Sequence, residues 1–275
     1  MPAAQAGDET SVHAARVASR RLREALPVFG AKANVNALDR AEKRVRRITR
    51  ALGPVRELDV ALMLLTELDG KEAAVPRAIA RVREAVTAER HARRSEMLEE
   101  LTPSRLNKLC KRLVEVATPD SPPGSHEDEL AEAERQAVTR AHKLRAAIEH
   151  AGGIYLADRL HRVRIAAKKL RYAVEIQREL TKSRATARLN RLKALQELLG
   201  RMHDLEILID RTRGVQEALP PSDRRGMSEL DALVRVLEDE CREGHASYMG
   251  SRAAMLKLCD SITSAPAEGR PTAAA

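Results

Sequence analysis

Apolar residues recur every three or four positions along almost the whole chain, with no sustained alternation of period two. That spacing predicts helices and no strands. The predicted helices cover 11–29, 36–52, 57–68, 75–100, 103–117, 127–150, 158–180, 184–200, 204–219 and 227–262, the last broken near Gly244 or Gly250. Asn34, Gly53-Pro54, Gly200 and Pro220-Pro221 read as turns, since Gly and Pro punctuate helices. The run Pro119-Asp120-Ser121-Pro122-Pro123-Gly124-Ser125 cannot be helical. It predicts a linker over 119–126 between an N-terminal bundle, 10–118, and a C-terminal bundle, 127–264. Residues 265–275 read as a disordered tail.

On a helical wheel, Ala15, Ala18, Leu22, Ala25, Leu26 and Phe29 make one apolar stripe, which predicts the buried face of the first helix. His13, Arg16, Arg20 and, at the edge, Arg23 lie opposite, with Arg21 to one side. In the next helix Leu38, Ala41, Val45, Ile48 and Leu52 form the stripe, and Lys43, Arg46, Arg47 and Arg50 point away from it. Later in the chain His161, Arg164, Lys168 and Arg171 share a face flanked by Lys169. Leu192, Leu195 and Leu199 form a further stripe that turns Lys193 outward.

These basic faces carry the chain's whole charge excess. Its 275 residues hold 49 Lys+Arg and 40 Asp+Glu, a formal net charge of +9. Residues 12–60 contribute +7 and residues 158–213 contribute +8, so the remainder is −6. A uniformly solvated surface would not sort charge in this way. The faces read as nearly free of the i,i+4 carboxylates that normally accompany a solvated basic helix. Like charges so crowded are tolerated mainly where a polyanion neutralises them. Arg outnumbers Lys by 38 to 11, which suits planar, two-pronged contact with phosphate oxygens.

Composition excludes several alternatives. The aromatic residues are Phe29, Tyr155, Tyr172 and Tyr248 alone, too few for the stacking platforms that bind single-stranded nucleic acid. Cys110, Cys241 and Cys259 are far apart and predict reduced, buried thiols rather than a zinc site or disulfides. No His-x-x-x-His spacing exists, and His13 and His161 sit among arginines that disfavour a cation, so no metal or other cofactor is predicted. Glu57 with Asp59, and Asp204 with Glu206, are the carboxylates an enzyme could use. Placed in turns, they read instead as favourable charge at helix N-termini, and the protein is expected not to be an enzyme. No secretion signal or bilayer-length apolar run is present, which predicts a cytoplasmic protein without a membrane partner.

Two segments repeat. Val12–Arg23 aligns with Leu160–Arg171 at an offset of 148, and Leu52–Asp59 aligns with Leu199–Glu206 at an offset of 147. The first motif, His-x-x-Arg-(Val/Ile)-x-x-(Arg/Lys)-(Arg/Lys)-Leu-Arg, resembles the CHAD family, the conserved-histidine α-helical domain. So do the continuation Leu170-Arg171-Tyr172-Ala173-Val174-Glu175 and the later Leu-Gly-x-x-x-(Asp/Glu)-Leu motif. The resemblance spans about residues 10–262. It implies an all-α fold of two pseudo-symmetric, duplicated four-helix bundles with a basic groove or pore between them. It also implies binding of inorganic polyphosphate and association with polyphosphate granules, in a stand-alone member of the family. The helix that precedes the first motif in the family would be absent or shortened here. The expected phosphate contacts are His13, Arg16, Arg20, Arg21, Arg23, Lys43, Arg46, Arg47, Arg50, His161, Arg164, Lys168, Lys169, Arg171 and Lys193. Other polyanions could use the same surface, and the alternative function is binding of a nucleic-acid backbone. Hydrolysis of polyphosphate and metal binding are the lesser readings.

Overall fold

A computed structural model describes residues 8–29, 34–70, 75–118, 126–182 and 185–264. The predicted tail, and all of the predicted linker except His126, lie outside the described residues. Among those residues there are eight helices and no strands. They are α1 (Glu9–Phe29), α2 (Val35–Asp69), α3 (Pro76–Glu100), α4 (Pro103–Ala117), α5 (His126–Ala151), α6 (Ala157–Thr181), α7 (Thr186–Glu217) and α8 (Arg224–Thr263). The protein is all-α, as the periodicity predicts. None of these helices is long and apolar enough to cross a membrane.

The punctuation is weaker than the sequence suggests. Helix α2 runs unbroken through Gly53-Pro54, α7 through Gly200, and α8 through Gly244 and Gly250. An interior proline removes a donor and costs about 3 kcal/mol. In α2 that loss is outweighed by burial on both sides of it, with Leu52, Val55, Leu58, Leu64, Leu65 and Leu68 all at most 4% exposed. Each such side chain contributes roughly 1.5–3 kcal/mol. Likewise Leu199, Met202, Leu205 and Leu208 carry α7 past Gly200, and Cys241, Tyr248, Met255 and Cys259 carry α8 past Gly244 and Gly250. Elsewhere the turn chemistry holds. The Asn34 side chain accepts from the Asn36 N–H and caps α2. Gly152, at φ +65°, closes α5.

The chain forms two compact units. The first comprises residues 1–123 and 201–243, and the second comprises 124–200 and 244–275. The division does not follow the linker, because parts of α7 and α8 belong with the N-terminal helices. In the first unit α2 packs on α1, α3 and α4. The core there includes Val12, Leu26, Ala41, Val45, Ile48, Leu52, Val55, Met97 and Leu101. In the second unit α5 packs on α6, burying Ala137, Ala141, Leu144, Ile148, Val163, Ala167 and Leu170.

The buried stripe of α1 differs from the expected one. Positions 12, 15, 19, 22 and 26 face the core, whereas Ala18 is exposed and Phe29 half-exposed. The actual stripe is turned by about 50° at 100° per residue. Ser19 is tolerated in that stripe because a polar residue can be buried when its hydroxyl is satisfied, and Ser19 Oγ donates to the Arg16 carbonyl at 2.9 Å. The rotation moves Arg16 and Arg23 from the far side of the helix to the flank beside α2. Of the cysteines, Cys241 and Cys259 are buried as expected, but Cys110 is exposed, one position off the buried Leu109. Burial pushes the Cys259 thiol up to about 11.

Candidate functional site

Helices α1 and α2 of the first unit place two rows of side chains along one groove. Arg16, Arg20 and Arg23 stand one turn apart on α1. From α2, Arg46 and Arg50, also one turn apart, complete five arginines. Thr49, Gly53, Pro54 and Glu57 line the rest. The cavity holds about 490 Å³ and opens to solvent. Arg23 and Arg50 have no acidic partner among the described residues.

Arg16 is the most constrained of the five, its side chain 15% exposed. Its Nη1 donates to the Thr49 carbonyl at 3.4 Å, and its Nη2 lies 3.9 Å from Glu57 Oε1. A Cβ at position 53 would stand 2.9 Å from Nη1, so the guanidinium occupies the space that glycine leaves open. The helix-forming residue before a proline is itself hindered by its own Cβ. Glycine at 53 therefore relieves both Pro54 and Arg16. In the second unit, Arg164 Nε is 3.9 Å from the corresponding Cβ position at Gly200.

Several predicted contacts, Arg46 of the groove among them, already hold acidic partners. Lys43 pairs with Asp39 at 2.7 Å and Arg46 with Glu42 at 2.5 Å, both i,i+4. Arg47 makes a two-pronged pair with Glu100, at 2.5 and 2.7 Å. Arg21 is exposed and does not line the groove. In the second unit Arg171 donates to Gln196 at 2.7 Å and to Glu175, and its guanidinium lies 4.6 Å from the Tyr172 ring centroid. Lys193 sits 3.7 Å from Glu197, the residue that replaces Arg50 in the repeat. The expectation of carboxylate-free faces is therefore corrected for Lys43, Arg46, Arg171 and Lys193. Arg164, Lys168 and Lys169 are half-buried on α6.

Both motif histidines are held below the usual imidazole range. For His13 the largest cause is burial, followed by the charges of Arg56, Arg20 and Arg16. For His161 it is again burial, then Arg164 and Lys168, with Asp158 opposing them. Arg56 thus belongs to the cationic surroundings of His13, although the sequence reading passed over it. Its place three residues after Gly53, one turn along α2, was the available signal.

The paired carboxylates do not sit at helix N-termini, because α2 and α7 continue through the predicted turns. Residues two apart on a helix point about 160° away from each other, and Glu57 and Asp59 separate accordingly. Glu57 lines the groove, 43% exposed. Asp59 is 1% exposed, its Oδ1 accepting from Arg90 Nε at 2.6 Å. The two cannot converge on one water or ion. Among the described residues no group of three or more His, Cys, Asp or Glu side chains could hold a metal.

Three comparisons bear on this arrangement. No curated protein matches the chain significantly. A crystal structure of the CHAD domain from the plant Ricinus communis aligns with 94% of this chain and 83% of its own, at 22% identity and a TM-score of 0.57. PptA from Streptomyces chartreusis aligns with 94% of this chain and 95% of its own, at 17% identity and a TM-score of 0.61. Both likenesses are of fold. The family model described as CHAD domain matches residues 2–213, which contain both histidine motifs and both Leu-Gly motifs. With that match over most of its length, the chain belongs to the CHAD domain family.

Proposed function

We propose that the chain binds inorganic polyphosphate and does not turn it over. The observation that carries this reading is the row of five arginines around one groove, Arg16, Arg20, Arg23, Arg46 and Arg50. Planar guanidinium groups pair two-pronged with phosphate oxygens. A flexible polyanion with one charge per phosphate can follow such a row where a rigid duplex would meet it at one or two points. Family membership supports the same reading, since the resemblance implies polyphosphate as ligand. Association with polyphosphate granules would follow from the binding itself. A binding role also fits the separation of Glu57 from Asp59, which leaves the groove, among the described residues, with one carboxylate and no pair to activate water.

Polyphosphate, double-stranded DNA and single-stranded RNA, compared at equal phosphate concentration in a filter-binding assay, test the proposal. Polyphosphate should bind most tightly. Its affinity should fall at least tenfold between about 50 and 200 mM salt, as expected when several counterions are displaced. Equal affinity for all three would reduce the groove to a general polyanion surface. Preference for a nucleic acid would replace the proposal with the alternative.

A further inference from the structure

The groove and its repeat differ in what each can offer an anion. At the positions matching Arg16, Arg20, Arg23, Arg46 and Arg50, the second copy holds Arg164, Lys168, Arg171, Lys193 and Glu197. Five arginines are thus matched by four cations and a carboxylate. The Arg171 side chain is 15% exposed and already bonded to Gln196 and Glu175. Lys193 stands 3.7 Å from Glu197, the residue that reverses the charge. In the groove Arg46 also has a carboxylate beside it, Glu42, but the arginine side chain is 53% exposed. Exposed i,i+4 pairs of that kind hold weakly and yield readily to a polyanion. The first copy alone sets five guanidinium groups around one opening.

That opening is short. Arg16 and Arg23 are seven positions apart on α1, which is about 10 Å of helix. A phosphate chain advances by two P–O bonds per repeat, so a handful of phosphates crosses that distance and passes every arginine of the row. Resting on the polyphosphate reading, we infer that each protein molecule grips one short stretch of chain, the length of the α1–α2 groove, and that the second copy adds no second grip. The ligand class is then an oligophosphate segment, whether free or part of a longer polymer. A long chain becomes a lattice on which many copies of the protein sit side by side.

A protein holding the chain at two places would behave differently. Tethering makes the second contact intramolecular and raises affinity by about 10²–10⁴ once the ligand spans both sites. The experiment is isothermal titration of the full chain with polyphosphates of about ten and about a hundred phosphates, and of Arg50→Ala with the same two. Affinity expressed per phosphate should agree within a few-fold between the two lengths. The long polymer should take up several protein molecules, and Arg50→Ala should weaken both ligands by the same factor. An affinity per phosphate at least about a hundredfold tighter for the long polymer would overturn the inference. So would one protein per long chain, or a loss in Arg50→Ala confined to the short ligand. Each of those results leaves the polyphosphate reading standing. If neither length binds the parent, the functional reading fails and the inference with it.

Discussion

The guanidinium of Arg16 lies over Gly53, with Nη1 2.9 Å from where a Cβ on that residue would stand. The two residues come from different motifs, 37 positions apart, and their contact explains why each motif holds the residue it does. Arginine at 16 supplies a charge fixed in place by the Thr49 carbonyl and Glu57. Glycine at 53 leaves the helix surface open beneath it.

Gly53→Ala should therefore separate binding from stability. The added methyl meets the far end of a flexible side chain, which can move aside. Helix propensity gains up to about 1 kcal/mol, offset by the crowding of a residue before proline. The thermal midpoint should change little. Polyphosphate affinity should fall several-fold as Arg16 is displaced. A calorimetric melt and a binding isotherm on the same preparation check both halves.

The basic residues of the two motif copies should not contribute equally. Arg50 is exposed and without an acidic partner among the described residues, whereas Arg171 is 15% exposed and bonded to Gln196 and Glu175. Arg50→Ala should lower polyphosphate affinity with stability within about 0.5 kcal/mol of the parent. Arg171→Ala should cost about 1–2 kcal/mol of stability through lost packing and hydrogen bonds, with the smaller effect on affinity. Denaturant melts and binding isotherms of both variants test the ordering.

Asp59 should matter for stability and not for binding. Asp59→Ala leaves Arg90, its side chain 17% exposed, without that partner. Loss of one member of a buried pair costs about 3 kcal/mol or more. Urea unfolding should register that loss. Polyphosphate affinity of the folded fraction should remain at the parent value, because Asp59 does not line the groove.

Affinity should rise as pH falls. In the free protein burial and neighbouring cations hold His13 and His161 below their usual range, so the neutral imidazoles are favoured. A bound polyanion reverses the field and raises both, so binding takes up protons. By linkage the gain in affinity builds as pH falls through the bound-state values, and levels off below the free-state ones. Isotherms between about pH 8 and pH 6 should show the trend, and the double variant His13→Gln with His161→Gln should flatten it. An unaltered slope in that variant would exclude the histidines as its source.

Much was legible in the sequence because it is local. Three-to-four spacing specifies helices wherever it occurs, and the two motifs identify the family from residues only a few turns apart. Of the groove, Arg16, Arg20, Arg23, Arg46 and Arg50 were identifiable as one-sided cations from the helical wheel alone. Tertiary structure decided the rest. Whether Gly53-Pro54 ends a helix depends on the leucines that neighbouring helices bury on either side of it. Which face of α1 is buried is decided by its packing on α2, which takes in Val12 and Ser19 and sets Arg16 and Arg23 beside α2. Glu57 and Asp59 look interchangeable in sequence. Opposite faces of α2 give one to the arginine groove and the other to Arg90, and Arg47 meets Glu100 from another helix, whereas the acidic partners of Lys43, Arg46, Arg171 and Lys193 stand four residues away on the same helix and were open to reading from the sequence. Local spacing fixes where a side chain points on its own helix, but only packing between distant segments fixes what it meets.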